Sequence, residues 1–382
     1  MKIVIYCQHV LGVGHLFRTL EISRALNTHD VILVTGGSQI DTPLPSHVRP
    51  VELPPLMMDA DFSALHTVAC EDSLDQIKQR RAEALYDLFA REVPDLFIVE
   101  LYPFGRKAFK FELDPVLTGL RSGALPPCRT ACSLRDILVE KRNSAAYETR
   151  VIETLNRFFD VLLVHADPAI LKLEETFSRM EAITIPVVYT GFVTPYPQPE
   201  AGKNLRRRLS LQPEDNLVVA SAGGGKVGYA LLEAVVGAVE HVPRPLRVHI
   251  FTGPFLDDDL YAQLERRQTN IVRVERFSSD FLAFLDAADL SISMAGYNTC
   301  MNILATRVPS LLWPFEQNRE QRMRAERLAR WGGIQVLDDA DLETERLGRI
   351  MAQQLSMKER SNHQVDLNGA VSTANWIEEW MQ

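Results

Sequence analysis

Apolar residues fall along this chain in short β-branched runs that alternate with longer stretches of helical periodicity. Residues 2–7 (KIVIYC) form the first run; a glycine-bearing loop follows, and Leu16, Leu20, Ile22, Ala25 and Leu26 then recur on one helical face. Residues 31–35 (VILVT) repeat the strand signal ahead of Gly36 and Gly37, and residues 96–100 (LFIVE) repeat it after the Pro94-Asp95 breaker. Between them, residues 74–92 read as a long, charged amphipathic helix. Continuous apolar runs at 161–164 and 185–189 fit strands buried on both faces, as a parallel sheet covered by helices requires. Residues 192–199 (FVTPYPQP) carry three prolines in eight positions, which breaks helix and sheet alike. The alternation then starts afresh: LVVASAGGG, a helix through Val239, LRVHIFTG, NIVRVERF, a helix over 280–288, LSISMAG, another helix, PSLLWPF, a helix through Arg330, and GIQVL. The tail, with WIEEWM, reads as a closing helix. The pattern predicts an α/β protein of two Rossmann-like, doubly wound parallel-sheet domains facing a central cleft. Their bounds are 1–191, a Pro-rich linker at 192–204, 205–361, and a closing helix at 362–382 that returns to the first domain.

Composition narrows the function classes. Of 382 residues, 50 are Asp or Glu and 41 Lys or Arg, a formal charge of -9 without long basic runs, so nucleic acid is not an expected partner. Five cysteines scattered over the chain form no disulfide framework, and the CxxxC at Cys128 and Cys132 is poor zinc spacing; no metal site is expected. No stretch reaches the length of a spanning helix, and the first apolar run is too short for a signal-peptide core. A cytoplasmic protein is expected, able to touch a membrane peripherally without crossing it.

Three constellations carry chemistry. The first is HVLGVGHLFR (residues 9–18), directly after the first strand, where Gly12, Gly14 and a helix start offer backbone N–H groups to an anion. Phe17 stands where a dinucleotide fingerprint needs a small residue, and no acidic residue ends VILVT, which argues against an NAD oxidoreductase. His15 sits at that helix start, where the dipole keeps an imidazole neutral and able to accept a proton; the plainer reading is a packed turn. The second is Ser221 followed by Ala222, Gly223, Gly224 and Gly225, either a phosphate-approachable loop or a flexible turn. It lacks the spacing of a P-loop ATPase. The third is residues 293–321, in which strand SIS leads to Gly296, Tyr297, Asn298 and Thr299 at a helix start, with Asn302 one turn on. Asn298 and Thr299 either cap the helix or donate to a diphosphate. Glu316, Gln317, Asn318 and Gln321 form a polar group beyond the next strand, suited to sugar hydroxyls or simply a solvated helix start.

With these motifs in this order, the chain resembles the GT-B glycosyltransferases. Within them it resembles the branch containing the UDP-N-acetylglucosamine transferase of lipid II synthesis and a set of less characterised relatives. The resemblance covers nearly the whole chain, and AGYNT, VPSLLWPF and EQ are its specific part. It implies that the second domain binds the nucleotide sugar, with Phe277 and Ser278 at the base. It also implies that Gly296, Tyr297, Asn298 and Thr299 lie under the diphosphate and that Gln321 contacts the donor sugar. Asn302 stands where the family often has a ribose-binding Glu, and Arg322 where it has a second glutamine, so the nucleotide and the sugar are less defined than the fold. The resemblance further implies a metal-independent, inverting transfer with no cofactor beyond a nucleoside diphosphate sugar, UDP-linked, to a small-molecule, glycan or lipid-linked acceptor. His15 matches the family's Gly-His turn and is the candidate base. Glu100, ending LFIVE, either orients it, acts as base itself, or is an ordinary strand-end charge. Acceptor-side candidates are Arg106, within the basic-aromatic run 101–113, and Arg135 with Asp136; Arg206 to Arg208 read as solvated charge. The alternatives are a nucleotide-sugar hydrolase of the same fold and a non-catalytic nucleotide-sugar-binding protein.

Overall fold

The computed structural model describes residues 1–8, 14–37, 43–58, 65–67, 72–139, 143–225, 227–315, 319–357, 360–362 and 364–382. The chain divides into two units, Met1–Val193 with Asn368–Gln382, and Thr194–Leu367.

In the first unit the elements are β1 (Lys2–Tyr6), α1 (Gly14–Ala25), β2 (Asp30–Thr35), β3 (Val48–Glu52), β4 (Leu56–Met58), β5 (Leu65–Thr67), α2 (Leu74–Glu92), β6 (Leu96–Glu100), α3 (Lys110–Ser122), β7 (Arg129–Arg135), α4 (Ser144–Phe158), β8 (Val161–His165) and β9 (Val187–Tyr189). Seven of these strands form one parallel sheet in the order β3-β2-β1-β6-β7-β8-β9, and β4 pairs antiparallel with β5. The apolar runs explain the centre of the sheet: β6 and β8 are buried along their whole length. The run at 185–189 departs from the expectation of burial on both faces. Only Val187–Tyr189 is strand and it is half-buried, because it forms the sheet edge.

The end of β1 is held by a buried ion pair. Arg81 of α2 donates to both carboxylate oxygens of Glu112 of α3 at 2.7 Å, to Gln8 Oε1 at 3.0 Å and to the Pro54 carbonyl at 2.6 Å, and both charged side chains are wholly buried. Removing one partner of such a pair costs about 3–5 kcal/mol, since the other charge remains without water. The cluster ties α2 and α3 to the residue ahead of the His15 loop.

The second unit contains α5 (Ala201–Arg208), β10 (Asn216–Ser221), α6 (Tyr229–Ala238), β11 (Leu246–Phe251), α7 (Asp258–Glu265), β12 (Val272–Glu275), α8 (Phe281–Ala287), β13 (Leu290–Met294), α9 (Tyr297–Thr306), β14 (Ser310–Trp313), α10 (Arg319–Ala329), β15 (Ile334–Val336) and α11 (Thr344–Met357). Its strands make a parallel sheet in the order β12-β11-β10-β13-β14-β15. The linker is shorter than the prolines suggest, because α5 begins at Ala201 and packs on α8, with Gly202 N–H donating to Asp286 at 2.8 Å. Arg206 is a correction as well. It is not a solvated charge but donates to the carbonyls of Ala287, Gln212 and Asp215 and to Asp289, pinning α5 to the sheet. The closing helix α12 (Gly369–Met381) belongs to the first unit and packs on α1. Among the described residues no helix is long and apolar enough to cross a membrane.

Candidate functional site

In an open parallel sheet, ligands meet the carboxyl ends of strands where the strand order reverses, because the two flanking loops turn away from each other there. In the first unit that point lies between β1 and β6; in the second it lies between β10 and β13. His15 follows β1 and Glu100 ends β6. The glycine triplet follows β10 and the Gly296 turn follows β13. Each unit thus brings two sequence motifs to its own reversal point.

In the first unit, His9 and Gly12 lie outside the described residues, and Gly14 opens α1 with His15 next. His15 Nδ1 is 2.6 Å from Glu100 Oε1, and Arg18, one helical turn on, donates to the same oxygen. Arg106 Nε lies 3.9 Å from the other oxygen. Glu100 and Arg18 are buried, and His15 keeps 22% of its side chain exposed. Burial alone would raise the Glu100 carboxyl, but His15, Arg18 and Arg106 outweigh it and hold its pKa down at about 2. Burial lowers the His15 pKa to about 4, with the two arginines acting the same way against the pull of Glu100. The ring is therefore neutral at pH 7. Facing an acceptor-only carboxylate, its proton sits on Nδ1 and its open lone pair on Nε2. Burial, rather than the helix dipole expected from the sequence, is the main cause of that neutrality. It also separates the roles left open for Glu100: a carboxylate held near pKa 2 is a weak proton acceptor and a good orienter.

The acceptor-side candidates fare differently. Arg106 does not join Lys107 and Lys110 on an exposed face; its backbone is left-handed (φ 57°) and its side chain turns in towards Glu100. Arg135 is half-buried at the end of β7. Asp136 is wholly buried and presents no carboxylate to an acceptor.

In the second unit the glycines have distinct reasons to be glycine. Gly225 (φ 92°) and Gly253 (φ 86°) interlock the loops after β10 and β11. A Cβ on Gly225 would stand 2.5 Å from the Thr252 carbonyl oxygen, and one on Gly253 2.3 Å from that of Gly223. Gly223 N–H donates to Ser221 Oγ at 3.1 Å and Phe255 N–H to the Gly224 carbonyl at 3.0 Å. The triplet is a turn in which the Gly223 and Gly225 N–H groups are bonded, not a row of three open donors. At Gly223 and Gly224, by contrast, a Cβ would meet nothing among the described residues closer than Phe255 Cδ2 at 3.8 Å.

Gly296 is the most informative. Its φ of -66° and ψ of 150° suit any residue, and among the described residues a Cβ there would meet only Thr299 Oγ1 at 4.0 Å. Neither conformation nor packing asks for glycine. It is the N-cap of α9 and supplies no capping side chain, so Asn298 and Thr299, already inside the helix, do not occupy the capping position. On α9 the partly exposed positions are Asn298, Thr299, Asn302 and Ala305, one stripe at helical spacing. Beneath it Tyr297 is buried against Arg324, which is itself 1% exposed and donates to the Ala295 carbonyl at 3.3 Å. The result is a helix N-terminus whose N-cap residue supplies no side chain, with a buried cation behind it and, among the described residues, only Thr299 Oγ1 within 4 Å of a Gly296 Cβ, a setting suited to a diphosphate.

The remaining donor-side candidates belong to the same unit. Asn302 Oδ1 accepts from Thr194 Oγ1 at 3.3 Å, and Gln321 Oε1 accepts from Phe315 N–H at 3.2 Å. Arg322 pairs with Asp338 at 3.0 Å. Gln317 lies outside the described residues, as do Glu316 and Asn318. Phe277 is 57% exposed beyond β12, and Ser278 Oγ accepts from Asp280 N–H at 3.1 Å. Among the described residues no group of three or more His, Cys, Asp or Glu is placed to hold a metal ion. Sequence reasoning missed Arg18, Arg324 and Thr194. Only Arg18, three positions after His15, left a signal in the spacing.

Comparison with known proteins agrees with this architecture. The family model for the glycosyltransferase family 28 C-terminal domain matches residues 220–377. A UDP-N-acetylglucosamine--N-acetylmuramyl-(pentapeptide) pyrophosphoryl-undecaprenol N-acetylglucosamine transferase of Carboxydothermus hydrogenoformans is 28% identical over 201 residues, 49% of this chain and 51% of that protein. The match thus spans about half the length of that relative. MurG of Acinetobacter baumannii superposes with a TM-score of 0.58 at 14% identity, over 99% of this chain and 100% of its own. TcCGT1 in complex with UDP does so with a TM-score of 0.63 at 16% identity, over 99% of each chain. The chain shares the two-unit fold of these glycosyltransferases, and its residues 220–377 match the family 28 C-terminal domain.

Proposed function

We propose that this protein transfers a glycosyl group from a UDP-linked sugar to a hydroxyl acceptor, with inversion at the transferred carbon. The observation that carries the reading is Gly296, a glycine that neither its backbone conformation nor the described residues around it require, at the N-cap of a helix on the reversal point of the second sheet. In this reading His15 Nε2 takes the acceptor hydroxyl proton as the new O–C bond forms. The bond from that carbon to the diphosphate oxygen breaks, and the leaving oxygen keeps its electron pair. The N–H groups that open α9, with Arg324 behind them, meet the charge gathering on the diphosphate, so the step needs no metal. Glu100 holds the imidazole in the productive tautomer. UDP as the nucleotide is supported by the name of the Carboxydothermus hydrogenoformans relative and by the UDP complex of a structural neighbour. The relative's name also supports a lipid-linked acceptor, which a cytoplasmic enzyme would meet by peripheral contact.

The test is release of UDP from a UDP-sugar panel by the purified chain, with and without candidate acceptors. Release that depends on an added acceptor is the expected outcome. Equal release of free sugar without acceptor would mean hydrolysis, and tight binding without turnover a binding protein; either would overturn the proposal.

A further inference from the structure

A buried carboxylate beside an imidazole ordinarily draws a proton onto the ring, because the opposite charge favours the imidazolium. An imidazolium has no lone pair to offer an acceptor hydroxyl. The contact that orients His15, Nδ1 to the buried Glu100 Oε1 at 2.6 Å, would therefore by itself disable the base proposed above. The charges around Glu100 remove the conflict. Arg18 of α1 donates to the oxygen that His15 also contacts, and Arg106, from the turn after β6, brings its Nε to 3.9 Å from the other. Both arginine side chains are buried, 3% and 8% exposed. Two cations and one carboxylate leave one positive charge in excess before the ring is counted, and a proton on His15 would make it two, away from water. On the neighbouring strand ends, burial raises Tyr6 and Cys7 and lowers His165 to about 3, so these three are neutral near pH 7. His9, the one titratable residue of the segment 9–13, lies outside the described residues.

Arg106 takes its place against its backbone preference. The turn that carries it is fixed by Gly105 N–H donating to the Leu101 carbonyl at 2.8 Å and by Tyr147 Oη donating to the Phe104 carbonyl at 2.8 Å. At φ 57° and ψ 22° Arg106 is left-handed, a conformation unfavourable for any residue with a side chain. Lys107 and Lys110 just beyond it stay exposed, whereas Arg106 turns in. After burial, the main cause of the low His15 pKa, Arg106 opposes the pull of Glu100 more than Arg18 does.

We propose that Arg106 is a positioning residue for the transfer: with Arg18 it over-balances the charge of Glu100, so that Glu100 orients the His15 ring without drawing a proton onto it. The inference rests on the base role given to His15 above.

Ring 15N shifts of His15 in histidine-labelled full-length protein, followed on acidification, read its protonation without any substrate. The parent ring, with its pKa lowered to about 4, is expected to stay largely neutral down to about pH 5. Arg106→Met, which keeps length and removes charge, is expected to be half protonated at about pH 5 or above, at least a tenfold gain in proton affinity. The acid limb of its kcat/KM should move up by the same amount. Arg106→Lys, which keeps the charge, should titrate within about half a unit of the parent. Should the methionine variant not fold, Arg106→Gln carries the same expectation. An unmoved midpoint in a folded neutral variant overturns the inference and leaves His15 standing as the base. A midpoint that moves while the rate falls equally at every pH overturns the base role and the inference together.

Discussion

Replacing His15 by alanine is expected to lower turnover by about 10² to 10⁴ while leaving nucleotide affinity within about twofold. The size follows from the arrangement in the first unit. One ring nitrogen is committed to a buried carboxylate 2.6 Å away, which leaves a single defined lone pair to take the proton. Steady-state rates and a separate UDP titration read the two quantities independently; an unchanged rate removes His15 from the chemistry. The pH profile carries the same signature. A base works only when unprotonated, and the pKa of His15 is lowered to about 4, so activity should be flat around neutrality and fall as pH drops through about 4. The stability effect runs in the same direction. His15, and His165 with a pKa lowered to about 3 by burial, bind a proton more weakly folded than unfolded. Between the unfolded value near 6.5 and those lowered values the unfolded chain holds more protons. Stability therefore rises with pH across that window and is lost on acidification through it.

Gly296→Val is expected to cut donor affinity by about 100-fold or more, roughly 2.7 kcal/mol, while leaving the melting temperature within about 2 °C. Most glycine substitutions confound binding with folding, and this one separates them. The backbone there lies in the extended region that valine favours, and among the described residues nothing stands within 4 Å of the new Cβ except Thr299 Oγ1 at 4.0 Å. The added methyl groups would instead fill the space in front of the α9 N–H groups. Gly253 is the contrast: a side chain there would collide with the backbone of residues 223–225, so a loss of binding would report unfolding of the loop. If Gly296→Val binds UDP as the parent does, the diphosphate is not held at α9.

The central strands were legible because a strand buried on both faces carries little charge: KIVIYC and LFIVE have one charged residue each, at an end, and LSISM has none. The edges were not. Residues 48–52 (VRPVE) form β3 at the margin of the first sheet, largely exposed, so their side chains follow no apolar run and Pro50 reads as a breaker. His15 and Glu100 could be named because one opens the helix after β1 and the other ends β6, where topology rather than side-chain contact sets position. Arg18, Arg81 and Arg324 could not. Arginine reads as surface unless its partner is known, and here the partners are Glu100, Glu112 and the Ala295 carbonyl, the carboxylates lying 31 and 82 positions away. The glycines show a subtler limit: Gly225 and Gly296 look alike in sequence, yet one is required by packing and the other is not.

Backbone amide shifts give the most direct test that the second unit holds a diphosphate on the start of α9. In 15N-labelled protein titrated with UDP, the amides of Asn298 and Thr299 are expected to move saturably, with the same midpoint as calorimetric binding. Binding of UDP that leaves those two resonances where they were would contradict the account.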